Sequence, residues 1–105
     1  MPSNIYHDPV SGNTYDLNTM PPHDLIALRD ELNDRQLDAY DKLTAISRKL
    51  SNTDPKTHST EDLNQQEQLK KLFDSTIYAI HKVDNHRRAR HISYKATKRQ
   101  RQLDR

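Results

Sequence analysis

The sequence predicts a mainly α-helical protein: an antiparallel helical hairpin with a short N-terminal β-hairpin arm, ending in a long second helix or in a third, basic helix. Three observations predict it. Apolar residues recur at steps of three and four from Leu25 to Leu50 and again from Leu69 to Val83, the spacing that lines one face of a helix. A cluster of breakers, Ser51-Asn52-Thr53-Asp54-Pro55, separates the two runs. Ahead of both lie two β-prone stretches that flank the chain's single glycine. The organisation expected is an arm over residues 1–20, a helical hairpin over 21–86 and a basic amphipathic helix over 87–105.

The arm comes first. Ile5-Tyr6-His7 and Thr14-Tyr15-Asp16-Leu17 flank Asp8-Pro9-Val10-Ser11-Gly12-Asn13, where Pro presets φ and Gly12 is free to take a left-handed turn position. Two strands are marginal alone, so the hairpin must lie on the helices or on a partner. The apolar seam residues lie outside the arm, so removing residues 1–18 is expected to leave the helices formed.

Pro21-Pro22 suit a helix start, with Asp24 in its positive first turn. Leu25, Leu28, Leu32, Ala39, Leu43, Ile46 and Leu50 fall within a stripe roughly 60° wide, and polar Gln36 fills the one gap. This is a coiled-coil-like seam. Ser59-Thr60-Glu61-Asp62 is a capping box that starts the second helix, whose apolar stripe is Leu69, Phe73, Ile77, Ile80 and Val83. Phe73 and Tyr40 are expected in the core, as large side chains at helical spacing usually are. Tyr78, outward beside Glu67, Lys71 and Asp74, is a possible seat for the β-hairpin.

Beyond Val83 the same ridge continues as Arg87, Arg90, Tyr94, Lys98, Arg101 and Arg105, so it turns from apolar to basic. Ala89, Ile92, Ala96 and Leu103 cluster roughly 150° away. Polarity therefore inverts near Asp84-Asn85-His86, where a partner helix of equal length runs out. Two architectures fit. The second helix continues as one rod, or the chain breaks at residues 84–86 and a third helix folds back, laying Ile92 and Leu103 on the flank residues Ile26, Leu37 and Tyr40. The absence of Pro or Gly at the break favours the rod.

Composition narrows the function. Leu, Ile, Val and Phe make up 20 of 105 residues, just under the roughly 20% at which a packed core becomes hard to build. Net charge is only +2, so the strong charge that accompanies disorder is missing. A core this thin points to self-association or to an obligate protein partner, with a dimer as the default by symmetry. Zero Cys excludes disulfides, zinc thiolates and a thiol nucleophile, and one glycine excludes glycine-rich phosphate loops. No long apolar run or signal-peptide order is present, so a cytoplasmic or virion-associated location is expected.

Charge is divided along the chain. Residues 1–85 hold 9 Lys/Arg against 14 Asp/Glu, a net of −5, and residues 86–105 hold 8 against 1, a net of +7. A basic tail on an acidic body is aimed at something negative, most commonly nucleic acid. Arg87, Arg90, Lys98, Arg101 and Arg105 share a face with Tyr94, a phosphate track with one aromatic platform for a base. The first helix carries Asp30, Asp34, Asp38 and Asp41 away from its seam. That acidic face is a candidate docking surface for a basic partner, and it costs a few tenths of a kcal/mol per like-charged i, i+4 pair. The plainer reading is a solvated face relieved by Arg35 and Lys42.

Six His residues do not make a metal site: His81, His86 and His91 are five apart, which splays successive rings by roughly 140° on a helix, whereas helical ligands sit three or four apart. No serine sits in a strained nucleophile turn, and no cofactor is implied. The chain is similar in style to the small regulatory or assembly proteins of phages and mobile elements, a likeness that carries no transferable residues. The expectation is a non-enzymatic interaction or regulatory protein that binds nucleic acid or a nucleoprotein through its basic end, without a membrane. The alternative is a structural or assembly component of a virion or larger complex. A weaker one is a protein inhibitor acting through the acidic face.

Overall fold

The computed structural model describes residues 4–93, 95 and 96. In chain order it contains strands β1 (Ile5–His7) and β2 (Thr14–Asp16), helix α1 (Pro22–Ser51), a 3-10 turn (Pro55–Thr57) and helix α2 (Thr60–Ala89). This is the helical hairpin with its β-hairpin arm. Contacts divide the chain into two compact units, one formed by residues up to Glu31 with those from Ala79 onward, the other by Leu32–Tyr78.

In the first unit β1 and β2 pair antiparallel, with Tyr6 opposite Tyr15 and their rings stacked at 6.2 Å between centroids. The turn is held from its first residue. The Asp8 carboxylate accepts from the Val10 N–H at 2.9 Å, its carbonyl accepts from Gly12, and Gly12 takes φ 77°, which a glycine adopts without strain. Leu17, Leu25, Ile26 and Val83 are fully buried, and Tyr6 and Asp8 nearly so. The arm therefore belongs to the core of this unit. The premise that the arm holds no core residue, on which the expectation of helices indifferent to its removal rests, is corrected by Leu17.

The second unit holds the hairpin's connection. The Ser59 hydroxyl accepts from the Asp62 N–H at 3.0 Å, the cap that the sequence predicts. Asp54 caps the 3-10 turn through Lys56, and the His58 ring donates to the Leu50 carbonyl at 2.7 Å, satisfying an end carbonyl of α1. Leu32, Ala39, Ile46 and Leu50 are buried as expected, whereas Leu43 is half-buried.

On α2 the buried line differs from the predicted stripe. Thr76, Ala79 and Val83 are buried, while Leu69, Phe73, Ile77 and Ile80 are half-buried at its margin. Small side chains take the innermost positions, and the Thr76 hydroxyl is satisfied by the Leu72 carbonyl at 2.6 Å. Tyr40, expected in the core, is 53% exposed, and Tyr78 is 72% exposed.

The end of α2 corrects both predicted architectures. The helix runs unbroken through Asp84-Asn85-His86 and stops at Ala89, so it is neither broken at 84–86 nor a rod to residue 105. His91 takes φ 58°, its N–H bonds to the Arg88 carbonyl, and the Ile92 N–H reaches back to the Arg87 carbonyl. This double bond pattern is the Schellman stop, usually made with Gly. Here a histidine, one of the residues more tolerant of positive φ, supplies it.

Candidate nucleic-acid interface

The basic end of α2 is built around one carboxylate. Asp84 is buried and accepts from Arg29 of α1 at 2.7 Å and from Arg87, one turn on, at 3.1 Å. Burial alone would raise its pKa, but the two guanidinium hydrogen bonds and their charges outweigh it and hold the carboxyl below the ordinary value. Arg87 also donates to the Ile92 carbonyl at 2.9 Å. One guanidinium thus joins the buried acid to Ile92, three residues past the end of α2.

Three more side chains of this segment reach the arm. Lys82 donates to the Ile5 carbonyl at 2.8 Å, the His86 ring lies 3.0 Å from the Asn18 amide oxygen, and Arg90 donates to the Leu17 carbonyl at 2.9 Å. His86, Arg87 and Arg88 also occupy the last turn of α2, where positive charge meets the negative end of the helix dipole.

Of the six residues predicted to contact nucleic acid, Arg87 and Arg90 are placed, and both are turned to partners within the fold. Tyr94, Lys98, Arg101 and Arg105 lie outside the described residues. Arg88, His91 and Lys95 are exposed, and the Ser93 hydroxyl accepts from the Ala96 N–H at 3.3 Å, the bond of a helix N-cap. Sequence reasoning missed Arg29 and the central role of Asp84. The available signal was the carboxylate three residues before Arg87 on the ridge where polarity inverts.

The acidic face is also placed. Asp30 is half-buried, and Asp34, Asp38 and Asp41 are exposed along α1. Asp38 pairs with Lys42 at 2.9 Å, one turn on. Among the described residues no cluster of three His, Asp or Glu side chains has metal-binding geometry, and no helix is long and apolar enough to cross a membrane. Comparison with protein-family models, with curated proteins and with solved structures finds no match.

Proposed function

We propose that this chain is a small non-enzymatic interaction protein that binds nucleic acid or a nucleoprotein through its basic C-terminal segment, with the first unit as its mount. The observation that carries the reading is the charge division, −5 over residues 1–85 against +7 over 86–105. On this reading the cations differ in role. Arg87 and Arg90 fasten the root of the segment to Ile92 and Leu17, and the phosphate-facing work falls to exposed Arg88 and Lys95 and to the cations beyond them.

The test is duplex DNA binding across a salt series. Each phosphate contact contributes about −0.9 to the log-log salt slope, so changing Lys98, Arg101 and Arg105 together to Gln should flatten the slope by nearly 3. Arg90→Gln should lower stability and leave the slope nearly unchanged. Tyr94→Ala should cost roughly 1–3 kcal/mol on single strands and little on duplex, if its ring stacks on an unpaired base. Absence of DNA and RNA binding by the folded protein at low salt would overturn the proposal. It would promote the second reading, an assembly component, which the half-exposed apolar side chains of the second unit favour.

A further inference from the structure

We infer that the second unit docks a second copy of this chain through the face formed by Leu37, Tyr40, Phe73 and Ile77, with α1 of each copy set against α2 of the other. This does not rest on nucleic-acid binding.

The face is apolar and incompletely covered. Leu37 and Tyr40 are each 53% exposed, Phe73 and Ile77 are half-buried, and the Tyr40 and Phe73 rings meet at 5.9 Å between centroids, bridging the two helices into one surface. About 20 residues of each helix span about 30 Å, and two helices side by side about 20 Å. The footprint is roughly 600 Å² per copy. Counted on both copies, about 1,200 Å² reaches the lower edge of stable interfaces.

Charge selects the occupant and its orientation. Tyr40 is level with Phe73, and Ser47 with Gln66, whose amide donates to its hydroxyl at 3.1 Å. This register puts Lys70 level with Leu43, about 3 Å along the axis from Asp41. Asp41 and Lys70 are both exposed, and at about 100° per residue they lie about 40° round α1 from Leu37 and about 20° round α2 from Ile77, at the rim of the apolar face. A two-fold axis parallel to the helices brings each copy's Lys70 to the other's Asp41, twice per dimer. An axis perpendicular to them sets α1 on α1 and brings exposed Asp34 and Asp41 of the two copies together, which like-charge repulsion disfavours.

Sedimentation of the full-length chain from about 1 μM to about 500 μM tests this, since an interface of this size is expected in the micromolar range. A concentration-dependent dimer is expected. Tyr40→Glu, or Leu37→Lys should the first not fold, should give a monomer with an unchanged helical circular dichroism spectrum. Asp41→Lys should weaken the dimer roughly tenfold, two rim pairs turned repulsive, and Lys70→Glu added to it should restore the wild-type affinity. A monomer throughout the range, a dimer that survives both face variants, or a charge reversal that the second reversal does not rescue would each overturn the inference.

Discussion

Asp84 is the residue on which the basic end of the molecule depends. A buried carboxylate is costly to desolvate, and the cost is offset only while Arg29 and Arg87 both hold it. Asp84→Asn would leave two guanidinium groups facing a neutral amide, and a loss of roughly 2–4 kcal/mol in urea unfolding at neutral pH is expected. The pH dependence has a definite sign. The folded pKa lies below the ordinary 3.8, so the native state binds fewer protons than the unfolded chain in that range. The contribution is complete above the ordinary value and is lost as the pH falls through the lowered one. The gap between wild type and Asp84→Asn should narrow in acid. A gap that stays constant on acidification would show that the carboxylate's charge is not what the two arginines need.

At the scale of elements, the stop of α2 and the arm hold the basic segment in place. His91 adopts φ 58°, where a side chain is strained and glycine is not. His91→Gly should therefore raise stability by about 0.5–1 kcal/mol and the β-branched His91→Val should lower it, both measured by thermal unfolding. Leu17 is fully buried and its carbonyl receives Arg90, so Leu17→Ala should cost roughly 2–4 kcal/mol, and deletion of residues 1–18 should reduce helical circular dichroism. Full helicity in the deletion would show that the arm is an appendage after all. The start of α2 and the break after α1 were legible in the sequence because Ser59 and the Ser51 to Pro55 cluster act through local bonds. The stop after Ala89 was not, because nothing in the composition marks a histidine that will take positive φ. The partners of Arg90 and Arg29 were also hidden, since they lie 73 and 55 residues away along the chain. The basic ridge could be read, but which of its cations the fold uses could not.

At the scale of the whole molecule, the two units differ in how they are stabilised. The first buries Leu17, Leu25, Ile26, Leu28 and Val83 and adds the Asp84 cluster and the arm's bonds to α2. The second buries Leu32, Ala39, Ile46 and Leu50 but leaves Leu43, Leu69, Leu72, Phe73 and Ile77 half-buried, and its ion pair Lys49–Asp62 lies at the partly exposed loop end, where such pairs contribute little. Local opening free energies follow buried apolar contact, so the amides of α1 and α2 within Leu32–Tyr78 should exchange with solvent sooner than those of the helical turns around Leu25–Leu28 and Val83–Arg87. If a second copy covers the second unit, its protection alone should rise with protein concentration, while that of the first unit stays fixed. Native-state hydrogen exchange at two concentrations measures both. Uniform protection along both helices would mean that the pair opens as one cooperative block, and that the thinner packing of the second unit has no energetic consequence.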